Sequence, residues 1–307
     1  MSDNLAITTN NPKYRKQLNT EQLEVLHILY TFRFASSEQI ARYQEKPNPK
    51  AIQKRLKILE DQELIAKRYD KSYKLQGKPA AYYITAQGAR TLAKLGDRPT
   101  NEPINTKITY KSKDASEGFI EHCKHILDTY LALYAIHGTK LDFFTKSDLN
   151  YEQYEYYPQP LPDAHIRLKT SKGDRNFFLD IFEDKDPFFI MVRRIKRYLK
   201  YAESGDWEET APTVLMVTPN KATHKRLRKR IAYELKESYE DGMRFATTRL
   251  EYATDKDDDG KIWFAIDEDG DDPDEPAKST TLNRLPWGDN LAGLQLVSGI
   301  LRSMLLL

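Results

Sequence analysis

At 307 residues the chain is long enough for two domains with a core each, and its 31% charged and 39% apolar residues mark it as soluble and globular. A single cysteine, Cys123, excludes an intrachain disulfide framework and a cysteine-rich zinc site, and fits a reducing cytoplasm. The net charge of +2 conceals an asymmetry that points to nucleic acid: residues 1–100 hold 18 Lys/Arg against 10 Asp/Glu, and residues 251–278 hold 3 Lys against 12 Asp/Glu.

Residues 1–18 are polar, with Asn-Asn-Pro and scattered cations, and read as a disordered N-terminus rather than a leader. Asn19 with Gln22 has capping-box spacing and opens a helix whose inward stripe is Leu23, Leu26, Leu29 and Tyr30. Ser36 with Gln39 opens a second short helix through Ile40 and Tyr43. Pro47-Asn48-Pro49 breaks the chain before a third, Lys50–Gln62, with Ile52, Leu56 and Leu59 facing inward. The stretch Leu64–Tyr69, Tyr73–Leu75 and Ala81–Ile84 reads as two strands joined by the turn Gln76-Gly77-Lys78-Pro79, the wing, and Thr85 caps a fourth helix, Ala86–Leu95. Residues 19–97 therefore predict a winged helix-turn-helix, and 98–115, with Pro99 and Pro103, a linker.

Ser116–His137 is a long helix with Phe119, Cys123, Ile126, Tyr130 and Leu133 on one face. Strands follow at Leu141–Phe144, Ile166–Leu168, Phe177–Phe182, Thr213–Val217 and Phe245–Tyr252, with helices at Pro187–Tyr201 and Lys221–Tyr239. The alternation predicts an α/β domain over 116–252. Residues 253–307 form an acidic extension, interrupted by a strand at Ile262–Ile266 and closed by an amphipathic helix, Leu291–Leu307. That last segment carries Gln295, Ser298, Arg302 and Ser303, and is too short and too polar to span a bilayer, so no membrane partner is expected.

A recognition helix must present basic and amide side chains to a groove while its other face packs inward. The third helix does so with Lys50, Gln53, Lys54 and Lys57, with Arg55 at the edge. The hairpin adds Lys67, Arg68, Lys71, Lys74 and Lys78, suited to phosphates. These ten positions predict a partner in double-stranded DNA, with Gln53, Lys54 and Lys57 closest to base edges. The basic stretch Lys221–Arg230, with Arg193, Arg194 and Arg197, forms a second candidate track.

In the second domain Pro162-Asp163, then Asp180 within Phe177–Glu183, then a basic helix resemble the core of the PD-(D/E)xK nuclease fold. The resemblance implies a restriction-endonuclease-type domain with Asp163 and Asp180 on adjacent strands, Glu121 (or Glu117) from the preceding helix, and Mg²⁺ between them. The register is open. With Asp180 as second acid, Phe182 stands where a lysine is wanted and Lys196 would have to take that role. With Glu183, the run Glu183-Asp184-Lys185 spells the motif, on the opposite strand face.

Over residues 20–235 the chain resembles the replication-relaxation family of plasmid and integrative-element proteins. The resemblance is carried by Ile84-Thr85-Ala86-Gln87-Gly88, His122 with Leu131-Ala132-Leu133, Pro162-Asp163-Ala164, Phe177-Phe178-Leu179-Asp180 and Ile195-Lys196-Arg197-Tyr198-Leu199. It implies a role in replication or DNA relaxation of a mobile element; together with the basic helix and hairpin, the expectation is a cytoplasmic DNA-binding protein with a second copy of itself or replication or mobilisation proteins as further partners. Where the family more often has glutamate this chain has Asp180, and Phe182 replaces an expected charge. The favoured expectation is therefore a nuclease-like domain that does not cleave. The alternatives are a Mg²⁺-dependent endonuclease or nickase using Asp163, Asp180 and Lys196, and a winged-helix transcription regulator.

Other chemistry finds little support. His122 and His125 have helical metal spacing but no third ligand in view, no glycine-rich phosphate loop is present, and the tyrosines lack the histidine cluster of a relaxase. The acids at Asp255–Asp259 and Asp267–Glu275 miss the calcium-loop spacing and read as a solvated segment, with folding over the basic hairpin as a further hypothesis.

Overall fold

The computed structural model describes residues 18–46, 49–69, 71–95, 104–149, 156–203, 212–238, 243–255, 260–266, 279–282 and 285. The chain divides into two compact units, Met1–Lys124 and His125–Leu307. The expectations for residues 1–17, for 256–259 and Asp267–Glu275 and for a helix over Leu291–Leu307 lie outside the described residues. Among those described, no helix is long and apolar enough to cross a membrane.

Reciprocal capping boxes start the first two helices of unit 1. Asn19 accepts from the Gln22 N–H and the Gln22 side chain accepts from the Asn19 N–H in α1 (Thr20–Thr31), and Ser36 and Gln39 repeat the arrangement in α2 (Ser37–Tyr43). Helix α3 spans Pro49–Asp61 and buries Ile52, Leu56 and Leu59. Strands β1 (Ile65–Arg68) and β2 (Ala81–Ile84) pair antiparallel, and Ala35 bridges Tyr82 from the α1–α2 connection.

Between the two strands lies a short helix, α4 (Lys71–Leu75), in place of the strand expected at Tyr73–Leu75. The alternation that suggested a strand is real. It is met by burying Tyr73 and leaving Leu75 88% exposed, so both apolar residues need not share a sheet face. Thr85 caps α5 (Ala86–Leu95), its Oγ1 accepting from the Gly88 N–H at 3.0 Å. Gly88 is required there: a Cβ would stand 2.1 Å from the Leu64 carbonyl oxygen.

The segment expected as a linker over 98–115 contains a 3₁₀ helix, Thr106–Ser112, tied to unit 1. The Asn105 N–H donates to the Tyr30 hydroxyl, Arg33 to Ser112 Oγ, and Arg68 to the carbonyls of Lys113 and Ala115. Unit 1 also takes the first turns of α6 (Glu117–His137): Ile120 and Cys123 complete a core with Phe34, Tyr73, Ala81 and Tyr83. Unit 1 thus takes in the 3₁₀ helix and the start of α6, beyond residue 97 where the first domain was expected to end.

Unit 2 is a mixed α+β structure. Its sheet has the order β3 (Leu141–Thr145), β4 (Ala164–Thr170), β5 (Gly173–Ile181), β6 (Thr213–Thr218), β7 (Phe245–Arg249) and β8 (Phe264–Ile266). β3, β4 and β5 are antiparallel, β5, β6 and β7 are parallel, and β8 returns antiparallel. Helices α7 (Phe188–Glu203) and α8 (Lys221–Glu237) make the crossovers, and a single turn, α9 (Leu250–Ala253), ends β7 where more strand was expected. The core gathers Phe178, Val214, Met216 and Phe245 of the strands with Ile195, Tyr198, Leu227 and Ile231 of the helices.

Candidate nucleic-acid interface and the paired carboxylates

Helix α3 leaves Lys50, Gln53, Lys54 and Lys57 exposed, at positions i, i+3, i+4 and i+7 of one stripe. Lys57 pairs with Asp61 at 2.6 Å on the helix surface. Arg55 does not belong to this face. Its side chain is 11% exposed and bonds Glu21 and Gln44, so it anchors α3 to α1 and α2.

The hairpin cations also divide. Lys71 and Lys74 are exposed, Lys74 over the Tyr69 ring. Lys67 pairs with Glu60 at 3.0 Å, Arg68 donates to two carbonyls, and Lys78 pairs with Glu117. Lys67, Arg68 and Lys78 therefore have structural partners that the sequence did not disclose, because the acids and carbonyls concerned come from other elements.

In unit 2, Asp163 and Asp180 are brought side by side. The ladder ends at the Ala164–Leu179 pair; Asp163, just before β4, donates its N–H to the Leu179 carbonyl at 2.8 Å and so stands beside the Asp180 stretch of β5. Both carboxylates are buried, and both are engaged. Asp163 takes Lys146 Nζ at 2.6 Å on Oδ1 and the Ile181 N–H at 2.8 Å on Oδ2. Asp180 receives Arg194 Nε at 2.6 Å, a second Arg194 nitrogen at 3.1 Å, and the Tyr198 hydroxyl at 2.7 Å.

The electrostatics follow from this packing. Burial pushes down the Arg194 pKa, but the Asp180 charge and hydrogen bond, with Tyr198 and Asp163, together outweigh it and hold the guanidinium above its ordinary value. Burial also pulls Lys146 down, but the charge and hydrogen bond of Asp163, with the Asp180 charge, together leave it raised. The Tyr198 phenol is pushed well up, by burial first and by Asp180 second, so it stays a donor.

The remaining residues of the expected site are elsewhere engaged. Lys196 is exposed and lies 3.7 Å from Glu234, so it does not serve Asp180. Glu121 belongs to unit 1 and pairs with Lys124 at 3.0 Å. Glu183 lies past the end of β5 and faces His125 Nδ1 at 2.9 Å, and Asp184 accepts from Asn220, so Glu183-Asp184-Lys185 sits on a turn and supplies no strand ligand.

Magnesium asks for several oxygens open to the ion. Here a guanidinium, an ammonium, a phenol and a backbone N–H already hold all four oxygens of the pair, and this donor set does not fit a divalent cation. Among the described residues no group of three or more His, Cys, Asp or Glu could hold a metal.

These features define a two-unit α+β protein with a mainly helical unit bearing an exposed cationic helix and a mixed-sheet unit whose buried carboxylates Asp163 and Asp180 are neutralised by lysine and arginine. The replication-relaxation sequence profile matches residues 26–215, and the chain belongs to that family. No curated protein matches it. Among solved structures, a mutant of Lactococcus lactis ZitR shares 19% identity over 35% of this chain and 68% of that one, at a TM-score of 0.24. The restriction endonuclease FokI, free and bound to DNA, shares 12% identity at TM-scores of 0.29 and 0.27. This chain spans 45% and 43% of those two. Scores of this size do not establish a common fold.

Proposed function

We propose that unit 1 is a winged helix-turn-helix that binds double-stranded DNA, with α3 in the major groove and the β1–β2 hairpin region at the backbone. The observation that carries this is the exposed stripe Lys50, Gln53, Lys54 and Lys57 opposite the buried Ile52, Leu56 and Leu59. Lys71 and Lys74 supply backbone contacts. Membership of the replication-relaxation family supports a role in replication or DNA processing of a mobile element.

Unit 2 is read as a nuclease-like domain that does not cleave. Its order of helix, three antiparallel strands, helix and parallel strand supports the likeness. The engagement of Asp163 by Lys146 and of Asp180 by Arg194 supports the loss of cleavage.

The test is a titration of duplex oligonucleotide at about 0.05 and 0.2 M salt with the intact chain and K50Q/K54Q/K57Q. Loss of three phosphate or base contacts should make the log–log salt slope shallower by about 3. An unchanged slope and affinity would remove α3 from the interface. Supercoiled plasmid with Mg²⁺ or Mn²⁺ should remain intact; nicking that disappears in D163A and D180A would establish the endonuclease instead.

A further inference from the structure

Helices α7 and α8 connect three adjacent parallel strands, β5, β6 and β7. Two right-handed crossovers place both helices on one face of the sheet, pointing the same way. Their contacts agree. Arg226 near the start of α8 lies 3.8 Å from the Phe188 ring at the start of α7, and Lys196 further along α7 lies 3.7 Å from Glu234 further along α8.

The inward faces bury Met191, Ile195, Tyr198 and Leu199 of α7 and Leu227, Ile231 and Leu235 of α8. The outward face of α7 shows Arg193, Lys196, Arg197 and Lys200, at i, i+3, i+4 and i+7. That of α8 shows Lys221, Lys225 and Lys229, at i, i+4 and i+8, with Arg226 beside them. At the seam, Glu234 is buried and shared by Lys196 and Arg230.

This pattern works against the helices themselves. Like charges at i, i+4, such as Arg193/Arg197 and Lys196/Lys200, repel. Neither helix has an acid in its first turn, and Lys221 puts a cation at the positive end of the α8 dipole. Two self-repelling cation rows are relieved by a polyanion.

We propose that the α7–α8 face binds the sugar–phosphate backbone of duplex DNA without reading its sequence. The rows stand one helix spacing apart, about 8–10 Å, and each runs for about 10–12 Å. Those dimensions match phosphates facing each other across grooves about 6–12 Å wide. This surface is distinct from α3 and does not depend on the reading of unit 1.

The experiment compares the intact chain, R193Q/R197Q/K221Q/K229Q and K50Q/K54Q/K57Q on duplex DNA across about 0.05 to 0.2 M salt. Loss of four phosphate contacts makes the salt slope shallower by about 3.6 and lowers affinity about 10³-fold near 0.15 M. Relief of repulsion raises Tm by about 2–4 °C, which separates lost binding from lost folding. If the quadruple variant misfolds, R197Q and K229Q alone each make the slope shallower by about 1. Affinity and slope equal to those of the unaltered chain would overturn the inference while leaving the α3 reading intact. A larger loss on duplex RNA or on anionic vesicles than on duplex DNA would overturn the choice of partner. Normal behaviour of the α3 variant beside a defective α7–α8 variant would support this surface and refute the other.

Discussion

Truncating Arg194 tests how the carboxylate pair is held. Asp180 and Arg194 are 8% and 7% exposed, and Arg194→Ala leaves a buried carboxylate beside a second one. Removing one partner of a buried ion pair costs about 3–5 kcal/mol, because the survivor is desolvated without compensation. For a unit of this size that is a fall in Tm of about 6–20 °C. Removing both charges in D180N/R194M should recover most of the loss, since the Tyr198 hydroxyl can still donate to the new amide oxygen and the methionine refills the space. Millimolar Mn²⁺ should raise the Tm of R194A, where the pair has lost one of its cations, and leave the unaltered protein unchanged. The assay is thermal unfolding of the variants with and without metal. A loss below about 1 kcal/mol in R194A, or stabilisation of the unaltered protein by Mn²⁺, would refute the view that arginine stands where a nuclease would bind its ion.

Further outcomes follow from local geometry. Gly88→Ala drives a Cβ into the Leu64 carbonyl and should destabilise unit 1 by about 2–3 kcal/mol in denaturant titration; a change under about 0.5 kcal/mol would show that the backbone yields freely. Glu45 sits at φ +51° after α2, with the Lys46 N–H bonded to the Ala41 carbonyl, so Glu45→Gly should stabilise by about 0.5–1 kcal/mol, and a loss would contradict that account. Burial lowers both His165 and His224 to about 4, against about 6.5 unfolded. Between those values the unfolded chain binds protons that the folded one excludes, so stability falls as pH falls through this window. From about pH 7 to 5 the loss should be about 2 kcal/mol per histidine in urea unfolding, and a flat profile would contradict it.

Much of the fold was legible because local signals agreed with tertiary demand. Asn19/Gln22 and Ser36/Gln39 announced two helix starts, and the β-branched and aromatic runs of unit 2 announced its strands. What could not be read depended on partners distant in sequence. Cys123 read as part of one face of a long helix with Phe119 and Ile126, yet with Ile120 it closes the core of unit 1. Arg55, Lys67, Arg68 and Lys78 looked like their exposed neighbours until Glu21, Glu60, two carbonyls and Glu117 came into contact with them.

The pairing of Asp163 with Asp180 was implied by their strands, but not its neutralisation. Lys146 reaches Asp163 from the β3–β4 connection with no sequence signal. Arg194 did leave one: with Met191, Ile195 and Tyr198 it occupies the inward stripe of α7, where an unpaired charge would not be buried.

The central claim is that α3 lies against duplex DNA, and a photo-crosslinking phenylalanine analogue at Gln53 tests it most directly. The account predicts a crosslink to duplex from position 53 and none from a control at the exposed Arg90 of α5. Binding of duplex with no crosslink from position 53, or equal crosslinking from both positions, would contradict it.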